Sequence, residues 1–311
     1  MLQQAFAEAL WYPLGIPRAA RRLGLSLVHY PRHVFTRAVR LPVPAVVTIH
    51  DVFPLRYPEL YSGVIARHHR LITRAAARGA TRLITGSEFS RGEIAELTGV
   101  PAERITVTPY GVGRRFRPLE VDEAWLKRRF GLARPYVLCI GTLEPRKNLT
   151  LALDAFERLR GDAVLVLTGG RGWKDKELQR RLAGFGGSLV LTGYLEDDEL
   201  VKLLSAADCF VHPALFEGFG FPVVEAMACG APVVSSDGGS LPEVIGDAGL
   251  LVPPTAPDAV ADAIARVLGD TALRNDLAAR GLARARSFTW ERCAEATAAV
   301  YRDAIGGDAS R

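Results

Sequence analysis

The sequence contains no long hydrophobic run. Its longest apolar stretches, such as Tyr136 to Ile140 and Ala163 to Leu167, have the length of a β-strand, whereas a membrane-spanning helix needs about twenty apolar residues. The first residues, Met1 to Gln4, also lack the basic start and long apolar centre of a secretion signal. We therefore predict a cytoplasmic protein without a transmembrane segment.

Cysteine is scarce as well. The four cysteines, Cys139, Cys209, Cys229 and Cys293, are separated by 70, 20 and 64 positions, and three of them lie in apolar stretches typical of strands or helices. This spacing indicates neither a metal site nor a disulfide framework. We expect all four to be reduced residues that serve in packing.

Acidic residues are few in the first part of the chain. Residues 1–120 contain 17 arginines and 8 acidic residues, a net charge of +9, whereas residues 121–311 contain 22 basic and 26 acidic residues, a net charge of −4. The basic part is suited to anionic lipid headgroups or an anionic acceptor, and no motif supports nucleic-acid binding. A solvated, arginine-rich surface explains the same imbalance.

Strand patterns alternate with helical patterns along most of the chain. The predicted strands lie at 25–29, 45–49, 82–85 and 104–108 in the first part, and at 136–140, 163–167, 188–191, 209–211, 232–235 and 249–252 in the second. This alternation predicts an α/β protein with parallel, doubly wound sheets. A chain of 311 residues accommodates about two such domains, and the turn-rich segment 109–118 suits a linker.

One stretch, residues 216–234, joins local structure to chemistry. It follows the predicted strand Cys209 to Val211, its glycines permit a tight loop, and Pro222 suits the first turn of a helix, where no backbone donor is lost. Glu217 on the loop and Glu225, expected in that first turn, would flank a helix N-terminus that attracts phosphate. The pattern favours a phosphorylated, hydroxyl-rich ligand.

This stretch resembles the signature of retaining glycosyltransferases of family 4, in which two glutamates separated by seven residues line a donor-sugar pocket. The resemblance implies that Glu217 orients the hydroxyls of the donor sugar and that Glu225 orients those of the ribose. It assigns four more residues to the same donor-binding loop: Gly218, Phe219, Gly220 and Phe221. The alternative is that Glu225 merely favours the positive end of a helix and that Glu217 is solvated.

A second motif, residues 141–148, begins where the strand at 136–140 ends. A glycine lets the backbone turn, Arg146 and Lys147 supply positive charge, and Asn148 is a candidate cap for the following helix. The motif looks like the phosphate-gripping loop of the same family, which implies that Gly141, Thr142, Arg146 and Lys147 bind the donor. The two cations would neutralise the departing diphosphate. A basic pair on the surface is the alternative.

Shorter segments are similar to other parts of that family. They imply that His50 contacts the sugar near the reacting centre, and the remaining assignments are Asp51 and Ser87 on the acceptor side and Thr168, Gly169, Tyr194 and Leu195 at the donor. Independently of the resemblance, Ser87 is a candidate cap for the helix that follows it. We assign His68, His69 and His212 to the surface or to packing. Pro213-Ala214 stands where the family often has Pro-Ser.

The resemblance implies the GT-B fold, in which two doubly wound Rossmann-like domains face each other across a cleft. We expect an acceptor-side domain at residues 1–120, a nucleotide-sugar-binding domain at 121–290, and a helix at 291–311 that packs back toward the first domain. Members of the family usually start with a strand and a glycine-rich loop that are missing here, so the N-terminal domain is expected to be incomplete. Its edge strand predicts a homodimer, or contact with a membrane or partner chain.

The implied activity is metal-independent transfer of a sugar from a UDP- or GDP-linked donor to a hydroxyl of a glycan, glycolipid or polysaccharide precursor, with retention of anomeric configuration. No cofactor, metal or protein base is assigned. The acidic run from Glu196 to Glu199 opens a predicted helix, and it is not the Asp-x-Asp metal motif of the other major glycosyltransferase fold. The alternatives are phosphorylase-like or hydrolase-like use of the fold, and a non-catalytic nucleotide-sugar-binding subunit that requires a partner. The expected location is cytoplasmic, with peripheral contact at the inner face of the membrane.

Overall fold

A computed structural model describes residues 11, 14–32, 41–133, 135–142, 144–159, 163–170 and 176–308. The chain divides into two compact units. Unit 1 comprises Met1–Tyr110 and Glu291–Arg311, and unit 2 comprises Gly111–Trp290. The division after residue 110 lies ten residues before the boundary expected at 120. The reason is that the intervening segment bonds to unit 2: the Val112 N–H donates to the Phe288 carbonyl at 3.0 Å, and the Leu119 N–H donates to Ser205 Oγ at 3.2 Å.

The described chain alternates strands with helices, as predicted. The strands are β1 (Val28–Tyr30), β2 (Ala45–Thr48), β3 (Arg82–Thr85), β4 (Ile105–Val107), β5 (Tyr136–Ile140), β6 (Val164–Thr168), β7 (Leu189–Gly193), β8 (Cys209–His212), β9 (Val233–Ser236) and β10 (Gly249–Val252). The helices are α1 (Ile16–Leu23), α2 (Phe53–Arg56), α3 (Gly63–Gly79), α4 (Glu88–Thr98), α5 (Glu123–Phe130), α6 (Leu149–Arg158), α7 (Lys176–Gly184), α8 (Asp197–Ser205), α9 (Phe221–Ala228), α10 (Leu241–Ile245), α11 (Pro257–Gly269), α12 (Thr271–Ala285) and α13 (Trp290–Asp308).

Unit 1 is built on a parallel sheet whose described strands have the order β1-β2-β3-β4. Successive strand residues point to opposite faces of a sheet. Val47 packs in one cluster with Ala76 of α3 and Ile94 of α4, whereas its neighbour Val46 packs in another with Val300 of α13. Helices therefore cover both faces of the sheet. The last helix of the chain packs on the first sheet because its apolar residues complete one of those faces.

Unit 2 contains a parallel sheet whose described strands have the order β10-β9-β8-β5-β6-β7. The chain runs outward from β5 through β6 to β7, then returns to place β8 on the other side of β5. Ligands in such sheets bind outside the carboxyl ends of the strands at the point where the strand order reverses. That point lies between β5 and β8, and each of these strands is followed by one of the two motifs singled out above.

All four cysteines lie in the described part of the chain. Cys139, Cys209 and Cys229 are buried thiols, Cys293 is half-buried, and all four are free. Burial raises the pKa of the Cys139 thiol to about 12.

Within the described part of the chain, every helix falls short of the length or apolar character that crossing a bilayer requires.

Candidate active site

The pairing of β5 with β8 brings two loops of unit 2 together. Cys139 in β5 lies beside Val211 in β8, so the loop at 141–148 and the loop at 213–220 leave the sheet at the same edge. A backbone hydrogen bond from Leu215 N–H to the Arg146 carbonyl, 2.9 Å long, joins them directly. The two motifs, about 70 positions apart in the chain, form one site.

Asn148 joins the same loops through its side chain. Its Nδ2 donates to the carbonyls of Pro213 at 3.1 Å and Pro254 at 2.8 Å. The residue stands at the N-cap position of α6, but its side chain makes no capping hydrogen bond, so the predicted capping role is wrong. Its φ of 52° lies in the left-handed region, which asparagine tolerates better than most residues.

Glu217 is at the centre of a cluster of charges. Lys147 Nζ lies 2.5 Å from its Oε1, and Arg146 Nη1 lies 3.1 Å from its Oε2. The other terminal nitrogen of Arg146 lies 2.9 Å from Oε1 of Glu144. His212 Nε2 is 3.1 Å from Oε1 of Glu217. Two carboxylates and two cations are thus paired at the edge of the sheet.

This cluster is shielded from solvent. Glu217 is 6% exposed, Glu144 7%, Lys147 9% and His212 1%. Burial by itself raises the pKa of Glu217, but the His212 hydrogen bond and the charges of Lys147 and Arg146 outweigh it and hold that pKa well below its usual range. Glu217 is therefore an ionised, buried carboxylate, and the alternative of a solvated glutamate is wrong.

Two glycines and a serine fix the backbone of Glu217. Its carbonyl accepts hydrogen bonds from Ser240 N–H at 3.0 Å and from Ser240 Oγ at 3.1 Å. Gly239 has a φ of 66°, and a Cβ there would lie 2.4 Å from that carbonyl oxygen. At Gly238 a Cβ would lie 2.6 Å from the Leu215 carbonyl. Glycine at positions 238 and 239 is therefore required for the segment 238–240 to approach the loop this closely.

Glu225 lies in the second turn of α9, which begins at Phe221 with Pro222 in its first turn. The expectation that Glu225 falls in the first turn is therefore wrong. Burial, strengthened by the negative charge of Asp197, raises the pKa of Glu225 to about 7, although Arg115 and Lys147 oppose the shift. The two glutamates of the motif thus differ in their electrostatics: the pKa of Glu225 is raised to about 7, whereas that of Glu217 is held well below its usual range.

Other predicted donor-binding residues lie at the same edge of unit 2. Gly169 has a φ of 148°, and a Cβ there would lie 2.1 Å from the Gly141 carbonyl oxygen, so this position requires glycine. Thr168 Oγ1 donates to the Gly193 carbonyl at 3.1 Å. Thr142 and Tyr194 are exposed, whereas the side chain of Leu195 is buried in the protein interior.

The four residues of the Glu217 loop play different parts in the structure. Gly220 has a φ of 93° and is the residue from which α9 starts. Phe219 is buried against Phe221, and Phe221 in turn stacks on Trp290 at a ring separation of 6.3 Å. These aromatic contacts anchor the loop that carries Glu217 within unit 2. A direct role of Gly218 or of the aromatic rings in donor binding stays a prediction.

The predicted residues of unit 1 form a separate group. His50 Nε2 lies 3.0 Å from the Pro31 carbonyl, and because a carbonyl only accepts, this nitrogen carries the hydrogen. Nδ1 of His50 then accepts from the Tyr110 hydroxyl at 2.7 Å. Asp51 Oδ1 accepts from Phe53 N–H at 3.1 Å, and Ser87 Oγ accepts from Ser90 N–H at 3.0 Å. Ser87 is thus the helix cap that was predicted, and the contact of His50 with sugar and the acceptor-side roles of Asp51 and Ser87 stay predictions.

Sequence reasoning missed three residues of these groups. His212 was assigned to the surface or to packing; its ring is buried and stacks on Phe210, but the assignment missed its contact with Glu217. Glu144 lies inside the second motif but was passed over, although an acidic residue two positions from an arginine is a recognisable signal. Tyr110 closes the predicted strand region of unit 1, and nothing in the local pattern links it to His50.

The acidic run near residue 197 opens a helix, as predicted. Asp197, Asp198 and Glu199 fall in the first turn of α8. Asp197 pairs with Arg115, and Glu199 pairs with Arg129 at 2.7 Å. Among the residues that the structure describes, no group of three or more His, Cys, Asp or Glu side chains is arranged to hold a metal ion.

Comparisons with known proteins identify the family to which this chain belongs. The profile described as Glycosyl transferases group 1 matches residues 126–284, and the profile described as Glycosyltransferase Family 4 matches residues 2–114. O-antigen chain mannosyltransferase B of Escherichia coli is 39% identical over 267 residues, which are 83% of this chain and 70% of that protein. The serotype-specific mannosyltransferase WbdA of Escherichia coli is 30% identical over 265 residues, which are 81% of this chain but only 32% of that protein.

A solved structure extends the comparison to the fold. The crystal structure of HepE (Alr3699) from Anabaena in complex with UDP and glucose superposes with a TM-score of 0.77 at 23% identity, and the match covers 92% of this chain and 80% of that one. The chain thus has the GT-B fold class, with two Rossmann-like α/β domains. It belongs to the glycosyl transferases group 1 family, and it is a glycosyltransferase.

Proposed function

We propose that the protein transfers a sugar from a nucleoside diphosphate sugar to an acceptor hydroxyl without a metal ion and with retention of anomeric configuration. The observation that carries this proposal is the pairing of the buried Glu217 with the buried Lys147 and the half-buried Arg146 at the carboxyl edge of β5 and β8. The cluster combines a fixed anion for sugar hydroxyls with two cations suited to a diphosphate.

The charges of the cluster match those of the reaction. Breaking the bond between sugar and phosphate leaves positive character on the sugar and negative charge on the departing diphosphate. Arg146 offers a planar fork of donors suited to phosphate, and Lys147 adds a compact positive charge. Fixed charges in a site that excludes water stabilise such charge development strongly. These two cations therefore take the place of a metal ion in the proposed reaction.

Donor binding replaces the ion pairs within this cluster by contacts with the donor. The structure pairs both cations with Glu217, and a diphosphate competes with Glu217 for them. We propose that the carboxylate turns to the sugar hydroxyls while Lys147 and Arg146 turn to the phosphates. Glu225 binds the ribose hydroxyls, and its protonated fraction near neutral pH provides it with a donor as well as acceptors.

The names of the similar proteins suggest which substrates to test first. Two relatives are named mannosyltransferases, and HepE was crystallised with UDP and glucose. We propose a hexose donor, with mannose as the first sugar to test, linked to either guanosine or uridine diphosphate. We propose a saccharide or lipid-linked saccharide acceptor, and the name of the O-antigen chain mannosyltransferase supports the saccharide part. Homodimerisation and peripheral contact with a membrane stay predictions.

Release of nucleoside diphosphate from a panel of UDP-, GDP- and ADP-sugars tests the proposal, with pooled saccharide and lipid-linked acceptors present or absent. Glu217→Gln should lower turnover by at least about a hundredfold, because the variant lacks the negative charge. Binding of the nucleotide, followed by thermal stabilisation, should persist. Glu120→Gln, the same change at an exposed residue of unit 2, is the matched control.

The alternative of a non-catalytic nucleotide-sugar-binding subunit makes the opposite prediction. Such a protein is stabilised by nucleotide but releases no product with any donor. If the wild-type protein behaves in this way with the whole panel, the proposed transfer reaction is refuted. Product analysis by NMR decides the stereochemistry, since an inverted anomeric centre would contradict retention.

A further inference from the structure

His212 is the last residue of β8, directly before the loop that carries Glu217. Its ring is almost wholly buried and lies nearly parallel to the ring of Phe210, at an interplanar angle of 14°. Nε2 is 3.1 Å from Oε1 of Glu217. The chemistry of its two nitrogens determines what this contact can do.

The contacts of the ring determine where its hydrogen lies. A carboxylate only accepts hydrogen bonds, so Nε2 must carry the hydrogen and donate it to Glu217. Nδ1 is buried and has no hydrogen-bond partner among the residues that the structure describes. A hydrogen on Nδ1 would be an unpaired buried donor, which is costly. Burial also holds the pKa of His212 below its ordinary value, although Glu217 opposes this shift. The ring is therefore neutral, with its hydrogen on Nε2.

The other side chains that contact the Glu217 carboxylate also bind the diphosphate under the proposed function. In the described part of the chain, three side chains contact its carboxylate: Lys147, Arg146 and His212. Under the proposed function, the diphosphate draws Lys147 and Arg146 toward itself. A neutral imidazole has no such attraction to phosphate. His212 is thus the one of the three that keeps its bond to Glu217 throughout the reaction.

We propose that His212 is a positioning residue for the reaction: its Nε2–H holds the Glu217 carboxylate in place while Lys147 and Arg146 engage the diphosphate. The hydrogen bonds from Ser240 fix only the backbone of Glu217, so the direction of the carboxylate depends on side-chain contacts. This inference rests on the proposed function for its consequence in catalysis, but the bond itself is independent of it.

Two variants of His212 separate positioning from packing. His212→Leu has a similar volume and removes the donor together with the unpartnered Nδ1, so the fold should be retained. We expect its kcat to fall about tenfold to a hundredfold, as expected for loss of one hydrogen bond to a charged group, with little change in KM for the donor. His212→Gln offers an amide N–H at a similar distance along the side chain and should recover most of the loss. His68→Gln, at an exposed histidine of unit 1, is the matched control.

The proposal is overturned if His212→Leu keeps the wild-type kcat. It is also overturned if the leucine and glutamine variants lose activity equally together with thermal stability, since this outcome indicates packing. Nucleoside diphosphate should stabilise all three variants as it does the wild type. A selective loss of nucleotide binding in His212→Leu would place His212 at the nucleotide and contradict the proposal.

Nitrogen-15 NMR of the wild-type imidazole tests the bond without any activity measurement. The charged groups that face this ring are Glu217, Lys147 and Arg146, and with them in place Nε2 should stay protonated and Nδ1 unprotonated between about pH 5 and 8. A hydrogen on Nδ1, or titration like that of an ordinary histidine, overturns the proposal. If the wild type transfers no sugar, the proposed function fails while this measurement still decides whether His212 holds Glu217.

Discussion

The carboxyl edges of the two sheets hold polar groups in different ways. In unit 2, the ionised Glu217 is buried against two cations and a neutral imidazole. In unit 1, two histidines are bound by hydroxyl and carbonyl groups: His50 by Tyr110 and Pro31, and His29 by the Tyr301 hydroxyl at 2.6 Å and by Thr48 at 2.8 Å. At the edge of unit 2, buried charges are neutralised by opposite charges. At the edge of unit 1, polar groups are paired mainly through hydrogen bonds with uncharged groups.

This difference determines which substitutions each edge tolerates. A buried charge that loses its partner retains its full desolvation penalty, whereas an uncharged group that loses a hydrogen bond retains a much smaller one. The edge of unit 2 should therefore be sensitive to single substitutions and tolerant of paired, charge-balanced ones. The edge of unit 1 should respond weakly to either.

The largest effect is expected from Lys147→Met. Removing one partner of a buried ion pair costs about 3 to 5 kcal/mol, and because Arg146 and His212 remain beside Glu217, we expect about 3 kcal/mol of lost unfolding free energy in urea titrations. Adding Glu217→Gln to this variant should recover most of the stability but no turnover. Lys127→Met on the exposed side of α5 is the control, and a double variant no more stable than Lys147→Met alone would contradict charge compensation.

Glu225 should make stability depend on pH. Its pKa is raised from 4.5 to about 7, so its stabilising contribution is complete below about pH 4.5 and is lost as the pH rises through 7. The shift corresponds to about 3 kcal/mol at most, and partial exposure of the side chain reduces it. Between pH 5 and 8 the wild type should lose stability relative to Glu225→Gln.

Urea titrations of both proteins at several pH values measure this difference. The curve for Glu225→Gln should be flatter than that of the wild type over the same range. Parallel curves would mean that Glu225 titrates as an ordinary solvated glutamate, and the contrast between the two glutamates of the motif would then be lost.

The smallest effects are expected at the edge of unit 1. Tyr110→Phe removes the hydroxyl that donates to His50, and Tyr301→Phe removes the one bound to His29. Each should cost about 1 kcal/mol of unfolding free energy, as is typical of a single hydrogen bond between uncharged groups. Chemical denaturation of the two variants in parallel provides the comparison, and a loss as large as that of Lys147→Met would show that the imidazoles carry charge.

Prediction from the sequence succeeded where a residue and its structural partner are near neighbours. Ser87 caps α4 three residues away, Pro222 lies in the first turn of α9, and the acidic run at 197–199 lies in the first turn of α8. It failed for Asn148, whose local pattern predicts a cap. Two distant carbonyls compete for that side chain and determine its position.

The sequence by itself determined the alternation of strands and helices and the placement of both motifs at strand ends, because these depend on local periodicity and turn chemistry. Only the tertiary structure decided which groups meet there. Glu217 and Lys147 are 70 positions apart, and His212 joins them because β8 pairs with β5. The pKa of a carboxyl group depends on burial and on the charges that folding places around it. The pKa values of Glu217 and Glu225, two glutamates of one motif, are therefore shifted in opposite directions.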